Sequence, residues 1–206
     1  ALVNLIPRFY EATEGKVMVR GRDVREYEMK SLRRAIGVVP QRAVLFAGTL
    51  RDNMRWAKED ASDEEIYRAL EIAQAKDFVD EKGEGLDLTI EQGGKNLSGG
   101  QRQRLTIARA LTGSPEILIL DDSASALDFA TDARLRKALR HSTEGMTVFI
   151  VSQRAASIKQ ADRILVLDDG KIVGQGTHKE LLKNCGLYRE ICLSQLTREE
   201  VERDER

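Results

Sequence analysis

The sequence predicts an α/β fold with a mostly parallel sheet. Its most apolar segments, EILIL (116–120) and MTVFIVS (146–152), are continuous runs of strand length, as expected for strands buried on both faces. Segments with the spacing of amphipathic helices alternate with these runs. The chain has 206 residues, of which 41% are hydrophobic, so it is long enough to bury a substantial core. Apolar strands that alternate with amphipathic helices indicate helices packed on a parallel sheet.

Composition argues against several classes of function. The 33 Lys and Arg residues are balanced by 34 Asp and Glu residues, and the net charge of −1 gives no electrostatic reason to expect a nucleic-acid partner. No apolar run approaches the ~20 residues that a membrane-spanning helix needs. Cys185 and Cys192 are the only cysteines, and no cluster of histidine or cysteine completes a metal site. We therefore expect two reduced thiols packed in the interior.

The first part of the chain predicts a helix, a hairpin and a strand. ALVNLIPRFY has helical spacing from its first residue without an N-cap, so we expect the inside of a helix that begins before Ala1. GKVMVRGRDV then predicts a hairpin with RGRD as its turn. RRAIGVVPQ predicts a strand at Ala35–Val39 that Pro40 ends. The apolar segment RAVLFAGTLRDNMRW predicts an irregular connection.

Two capping boxes mark helices further along the chain. Ser62 and Glu65 begin SDEEIYRALEIAQA, and Thr177 and Glu180 begin THKELLKNCGLYREICLSQL. A glycine-rich loop, EKGEGLDLTIEQGGKN, leads to another helix after Ser98. FATDARLRKALR predicts a further helix, and RILVLDDGKIVGQG predicts a hairpin about DDG. The final segment, TREEVERDER, is too charged to pack, which predicts a solvated helix end or disorder.

Polar side chains follow the predicted strands at their carboxyl ends. Gln41 follows the first strand, Asp121 and Asp122 end the ILIL strand, and Gln153 follows VFIVS. Parallel sheets bind ligands at this edge, so we expect these side chains to lie together. Mg²⁺ prefers oxygen ligands and keeps several waters, so Asp121 can supply the carboxylate it needs while Asp122 orients a water. The alternative is a strand that simply ends in a charged turn.

The segment NLSGGQRQRLTIARAL predicts an anion site at a helix start. Ser98 caps the helix, Gly99 and Gly100 allow a ligand to approach the backbone, and free N–H groups of a first turn attract anions. A glycine in a helix costs about 1 kcal/mol relative to alanine, so the pair gives up stability at this point. An ordinary serine-capped helix explains Ser98 but not the paired glycines or Gln101.

These motifs together resemble the nucleotide-binding domain of ATP-binding-cassette (ABC) transporters. LSGGQ (97–101) is similar to the family's signature motif, ILILDD to its Walker B strand, and SALD (125–128) to its D-loop. IGVVPQRAVLFAGTLRDNM is similar to the Q-loop region, and LFAGTLRDN is typical of the exporter branch. The resemblance implies a sheet like that of P-loop NTPases with flanking helices. It also implies a nucleotide-binding domain over 1–196, a helical subdomain carrying the signature over about 42–112, and a charged tail over 197–206.

The resemblance also assigns roles to particular residues. Asp121 and Gln41 would bind Mg²⁺. Asp122 and Gln153 occupy the positions of the family's catalytic glutamate and switch histidine. ATP and Mg²⁺ are the cofactors implied, and the residues expected to contact the nucleotide are Gln41, Ser98, Gly99, Gly100, Gln101 and Asp128.

Three departures from the family pattern change this expectation. No G-x-x-x-x-G-K-S/T motif is present, so we expect the N-terminal strands and the phosphate loop to precede Ala1. Asp122 replaces glutamate and is one methylene shorter, a difference of about 1 Å that can cost ~100-fold in rate. Gln153 replaces histidine and cannot carry a charge or relay a proton. The two substitutions together predict a site that binds ATP and hydrolyses it poorly.

The pattern resembles one half of a heterodimeric exporter. In the family, each ATP lies between the Walker motifs of one domain and the signature motif of another. This chain would then complete the site of a second nucleotide-binding domain that is non-identical and catalytically competent. Transmembrane domains would dock on the region around Gln41 to Asn53, at the cytoplasmic face of the cell membrane. The apolar AVLFAGTL in that region is either core or interface.

Two other functions stay open from the sequence. A soluble ABC-type ATPase of DNA repair or chromosome handling usually carries a long coiled-coil insertion or a basic surface for DNA, and the sequence contains neither. A regulatory module would bind a nucleotide without turnover in any context. The exporter-type segment LFAGTLRDN favours the transporter over the soluble ATPase.

Overall fold

The computed structural model describes residues 2–142 and 144–206, which form two compact units divided between Val151 and Ser152. The strands in chain order are β1 (Met18–Val19), β2 (Arg22–Asp23), β3 (Ile36–Val39), β4 (Gly48–Thr49), β5 (Thr89–Ile90), β6 (Ile117–Asp121), β7 (Thr147–Val151), β8 (Ile164–Asp168) and β9 (Lys171–Gly176). The strands β3, β6 and β7 form a parallel sheet in the order β3-β6-β7. The predicted α/β class is therefore confirmed.

Helices flank this sheet and make up most of the second unit. In chain order they are α1 (Met29–Arg34), α2 (Leu50–Arg55), α3 (Asp63–Ile72), α4 (Lys76–Glu81), α5 (Gly99–Thr112), α6 (Phe129–Ser142), α7 (Ala155–Ile158), α8 (His178–Asn184), α9 (Gly186–Gln195) and α10 (Arg198–Glu205). Within the described ranges, no helix combines the length and the hydropathy needed to cross a membrane.

The central strand β6 is buried on both faces. Leu118 and Leu120 pack in a large apolar cluster that includes Leu105 of α5. Ile119 points to the other face, where it packs in a smaller cluster with Leu32 of α1. Because both faces are covered, the strand is continuously apolar rather than alternating, as its sequence predicted.

The predicted helix at the start of the chain is not observed. Ala1 lies outside the described residues, and Leu2–Leu5 form only a single 3₁₀ turn. Pro7 disfavours the helical conformation at the residue before it, and Arg8 adopts a φ of 56°. The hairpin of β1 and β2 is confirmed, with its turn at Arg20–Gly21, where both φ angles are positive.

The segment predicted as an irregular connection contains a strand and a helix. Thr49 caps α2 by accepting from the Asp52 N–H at 3.0 Å, and the Asp52 carboxylate accepts from the Thr49 N–H at 2.9 Å. The preceding strand β4 pairs antiparallel with β5. Buried Asn53 accepts from the Phe46 N–H and donates to the Phe46 carbonyl, both at 2.9 Å. The capping box of Thr49 and Asp52, which lies inside an apolar stretch, was the sequence signal that could have predicted this helix.

The second unit is a two-stranded hairpin packed with helices. Its turn at Asp169–Gly170 has positive φ at both residues, so the hairpin about DDG is confirmed. Thr177 and Glu180 form the predicted capping box of α8. The segment predicted as one helix is divided into α8 and α9 at Cys185, whose φ and ψ are −126° and 101°. Cys185 and Cys192 are free and buried, as expected.

The charged C-terminal segment packs, which corrects the expectation that it is too charged to do so. It forms α10, capped by Thr197, and Val201 is fully buried in the apolar cluster of the second unit. Lys159 Nζ and His178 Nε2 each lie 3.3 Å from Asp204 Oδ2. A buried valine and contacts of Asp204 with Lys159 and His178 thus accompany the packing of this helix, although its composition is polar.

Candidate functional site

The carboxyl ends of β3 and β6 bring Gln41 and Asp122 into contact. The two strands are parallel neighbours, so the residues that follow them emerge at the same edge of the sheet. The Gln41 Nε2 group donates a hydrogen bond to Asp122 Oδ2 at 3.0 Å. Asp121 is the last residue of β6, is half-buried, and pairs with Val151 of β7. The structure thus places Gln41, Asp121 and Asp122 at one edge, as the sequence predicted.

Asp122 has an unusual backbone conformation. Its φ of 51° lies in the left-handed region, which residues other than glycine seldom adopt. The Asp122 N–H donates to the Val151 carbonyl at 2.9 Å, and the Asp122 carbonyl accepts from the Ser125 hydroxyl at 3.0 Å. These hydrogen bonds fix the direction in which the Asp122 carboxylate leaves the backbone.

The turn after β6 ends at Asp128, which caps α6. Thr131 donates to both carboxylate oxygens, from its N–H to Oδ1 at 2.9 Å and from its hydroxyl to Oδ2 at 2.7 Å. These hydrogen bonds favour the ionised carboxylate and hold the pKa of Asp128 below its ordinary value. Leu127 beside it is buried in the core. The turn is therefore anchored at its end, while Asp128 itself stays exposed.

The helix α5 begins with a complete capping box. The Ser98 hydroxyl accepts from the Gln101 N–H at 3.2 Å, and the Gln101 side-chain oxygen accepts from the Ser98 N–H at 3.0 Å. Ser98 and Gly99 are exposed, and Gly100 is half-buried. The Gln101 side chain is thus used within the helix start. The first-turn N–H groups of Gly99 and Gly100 lack an intrahelical acceptor, as in any α-helix.

The two glycines of this helix start have different surroundings. A Cβ on Gly100 would lie 3.3 Å from the carbonyl oxygen of Ala126, in the turn after β6. A Cβ on Gly99 would meet only the guanidinium of Arg102, at 3.9 Å. Packing inside the chain therefore explains Gly100 without a ligand, whereas Gly99 has an open outer side.

Two residues that the sequence reading did not single out fix α5 in place. Buried Gln103 donates to the Pro40 carbonyl at 3.4 Å, and Arg104 donates to the Gln74 carbonyl at 2.7 Å. Gln103 thus connects the helix to the end of β3. Its position on the same helix face as the buried Ile107 was the available signal.

The apolar segment after Gln41 is partly core and partly surface. Leu45 and Leu50 are buried. Val44 is 49% exposed, and Trp56 at the end of α2 is 69% exposed. The Phe46 ring stacks on Trp56 with ring centres 4.5 Å apart. The two leucines therefore belong to the core, and Val44 and Trp56 form an exposed apolar surface beside them.

The edge of the sheet where Gln41, Asp121 and Asp122 lie, here called the acid edge, offers few side chains for a metal ion. Across residues 2–142 and 144–206, no group of three or more His, Cys, Asp or Glu side chains is placed to hold one. The Asp121 carboxylate and the Gln41 amide oxygen are hard ligands. They fit Mg²⁺, which takes one or two carboxylates and completes its shell with waters and phosphate oxygens. The sequence contains no G-x-x-x-x-G-K-S/T motif that would add a lysine.

Gln153 belongs to the second unit, whereas Gln41, Asp121 and Asp122 belong to the first. Its side chain is exposed, and its backbone carbonyl accepts from Gln195 Nε2 at 2.7 Å. The Gln195 Oε1 oxygen accepts in turn from the N–H at the start of α7, at 2.8 Å. Gln195 of α9 therefore fixes the segment that carries Gln153.

A family model, curated relatives and a solved structure all match this chain to ABC transporters. Residues 1–125 match the family described as ABC transporter. An uncharacterized ABC transporter ATP-binding protein of Mycobacterium tuberculosis is 47% identical over 197 residues, which are 94% of this chain and 34% of that protein. The ATP-dependent lipid A-core flippase of Desulfotalea psychrophila is 44% identical over 188 residues, 91% of this chain and 33% of that protein. The structure of a bacterial Atm1-family ABC exporter with ATP bound has a TM-score of 0.89 at 36% identity, covering 94% of this chain and 34% of that one.

The chain thus combines a parallel sheet that ends in Asp121 and Asp122 with a helix that starts at a capped glycine pair. The chain belongs to the ABC transporter family, as a nucleotide-binding domain of exporter type. It spans about a third of the length of the relatives that it matches.

Proposed function

We propose that this domain binds ATP and Mg²⁺ at an interface with a second nucleotide-binding domain, and that it couples ATP binding and hydrolysis to transport. The observation that carries the proposal is the start of α5. Ser98 is held by its capping box, Gly99 has an open outer side, and the first-turn N–H groups are those that bind phosphate oxygens. In the proposal, this helix start completes the partner's site.

At the domain's own site, Asp121 and the amide oxygen of Gln41 hold Mg²⁺. Both groups lie at the carboxyl edge of the parallel sheet, where α/β folds bind their ligands. When bound, Mg²⁺ neutralises charge on the phosphate oxygens that it contacts. The exposed Asp128 is the further residue that this proposal assigns to nucleotide contact.

Hydrolysis at this own site is impaired in the proposal. Asp122 carries its carboxylate one methylene closer to the backbone than the family's glutamate, and Gln41 already donates to one of its oxygens. Gln153 cannot take up a proton as histidine does. The competent catalytic site therefore belongs to a non-identical partner, and this chain contributes the start of α5 to it, with Ser98, Gly99, Gly100 and Gln101.

The other partners in the proposal are transmembrane domains at the cytoplasmic face of the membrane. They dock around Gln41 to Asn53, where the exposed Val44 and the nearby Trp56 offer apolar surface beside the buried Leu45 and Leu50. The nucleotide-binding domain extends over 1–196 and its helical subdomain over about 42–112. The helices α2, α3, α4 and α5 fall in that subdomain.

The test is ATP hydrolysis by a mixture of this chain and a purified ABC nucleotide-binding domain that has intact Walker motifs. We expect the mixture to hydrolyse ATP faster than the sum of the two domains assayed alone. Ser98→Arg should abolish the gain, because its side chain fills the place of the phosphate. Ser62→Arg is the matched control, since Ser62 caps α3 through an equivalent capping box with Glu65.

The outcomes separate the alternative functions. A mixture that never gains activity would support a regulatory module, and stimulation by DNA would support a soluble ATPase of DNA repair or chromosome handling. Equal losses from Ser98→Arg and Ser62→Arg would attribute the effect to helix capping and contradict the proposal.

A further inference from the structure

The side-chain amide of Gln41 has a defined orientation. An amide has a donor end and an acceptor end, and only the Nε2 end can face a carboxylate favourably. Gln41 Nε2 donates to Asp122 Oδ2 at 3.0 Å, so the Oε1 atom is directed away from Asp122. Reversing the amide would place two acceptors against each other, and the hydrogen bond would be lost.

The Asp122 carboxylate that fixes this orientation is itself fixed. Its backbone is in the left-handed region and is tied to Val151 on one side and to Ser125 on the other. The short side chain has few rotamers, so its oxygens occupy a narrow region above β6. A glutamate at this position would carry its carboxylate one methylene further from the backbone, beyond the place that Gln41 now contacts.

We propose that Asp122 is a positioning residue for Gln41. Its carboxylate holds the Gln41 amide with Oε1 free to face a cation at the sheet edge. Aspartate in place of the family's glutamate therefore has two effects. The residue loses its reach toward a water, and it gains a role in orienting Gln41, which is a ligand of the metal. The metal part of this inference rests on the proposed function, whereas the orientation of Gln41 does not.

The orientation can be measured in the chain as it is, without nucleotide. The observable is the pair of side-chain amide signals of Gln41 in a ¹⁵N–¹H NMR spectrum, with their rates of hydrogen exchange. Asp122→Ala should shift these signals and speed their exchange by about tenfold or more, because a hydrogen bond to a charged acceptor is lost. Asp122→Asn should keep the shift largely intact, because its Oδ1 atom still accepts. Asp128→Ala is the control, since it removes another carboxylate of the same turn, whose hydrogen bonds come from Thr131 rather than from Gln41.

Unchanged Gln41 signals in Asp122→Ala would overturn the inference, and so would an equal change in Asp128→Ala. If Asp122→Asn changed the signals as much as Asp122→Ala, the rescue would fail and the inference with it. Binding of Mn²⁺ with ATP, followed by electron paramagnetic resonance in a chimera that places a G-x-x-x-x-G-K-S phosphate-loop segment before Ala1, then tests the metal part. Normal Gln41 behaviour without Mn²⁺ binding would contradict the proposed function and leave the positioning role supported.

Discussion

Gly100, at the start of α5, lies against the carbonyl oxygen of Ala126, in the turn that follows the acid end of β6. A Cβ on Gly100 would come within 3.3 Å of that oxygen, closer than such contacts normally are. The turn that contains Ala126 is held in place, because Leu127 is buried and the Leu127 N–H donates to the Ala124 carbonyl at 3.0 Å. Ala126 therefore cannot easily move away from a larger residue at position 100. The helix start and the acid edge are therefore in direct contact within one chain.

This contact predicts opposite effects for two neighbouring substitutions. Gly99→Ala should stabilise the domain by up to about 1 kcal/mol, because alanine is the better helix former and its methyl group meets only the Arg102 guanidinium. Gly100→Ala should gain nothing or destabilise it, because its methyl group crowds Ala126. Denaturant unfolding of the two variants measures the difference. Equal stabilities would contradict the crowding at Gly100.

Most of the sheet could be predicted from the sequence because its strands are continuously apolar. The runs that became β3, β6 and β7 pair in parallel, and β3 and β6 are mostly buried, as their apolar sequences predicted. The strand β7 was also predicted to be buried, but it is exposed at Thr147 and only half-buried over 148–151. The helix α2 was missed because it is one and a half turns long and its capping box lies inside an apolar stretch. The break at Cys185 was missed although Gly186 directly follows it, because the apolar spacing continues across this point.

Restoring the family residues should raise turnover at the chain's own site. The measurement is ATP hydrolysis by a chimera that places a G-x-x-x-x-G-K-S phosphate-loop segment before Ala1. Asp122→Glu with Gln153→His should increase the rate by up to ~100-fold, since the carboxylate regains about 1 Å of reach. Adding Asp121→Asn should remove the gain. A double variant no faster than its parent would place the defect elsewhere.

The capping interaction of Asp128 predicts a pH dependence. Its pKa is lowered in the folded chain, so the hydrogen bonds from Thr131 stabilise the fold fully above the carboxyl's ordinary pKa. That contribution is lost as the pH falls through the lowered value. Thr131→Val removes the hydroxyl donor and should raise the pKa of Asp128, which a ¹³C NMR titration of the carboxyl measures. A titration unchanged by Thr131→Val would contradict this account.

The packing of α10 predicts that one apolar residue decides its docking. Val201→Ala should destabilise the second unit by about 1–2 kcal/mol and speed hydrogen exchange in α10, because Val201 is fully buried. Val173→Ala is the matched control, since Val173 is 48% exposed in the same unit. Equal effects of the two substitutions would mean that ion pairs alone hold the helix.

The placement of Gln41 beside Asp122 could be predicted because parallel strands deliver their carboxyl ends to one edge. The hydrogen bond between them could not, because it depends on the left-handed backbone of Asp122, which the sequence does not encode locally. The close contact of Gly100 with Ala126 could not be predicted either, because the two residues come together only in the folded chain. The sequence therefore suggested a ligand as the reason for a glycine that packing already requires.

The central claim is that the α5 start contacts a nucleotide held by a partner. ATP-dependent cross-linking of Ser98→Cys to a cysteine placed in the phosphate loop of a competent partner domain tests it most directly. The native Cys185 and Cys192 are buried, and burial raises the pKa of the Cys192 thiol, so neither should compete. We predict a cross-link that forms only with ATP and Mg²⁺ and does not form from Ser62→Cys. A cross-link that is independent of ATP, or none from Ser98→Cys under any condition, would contradict the claim.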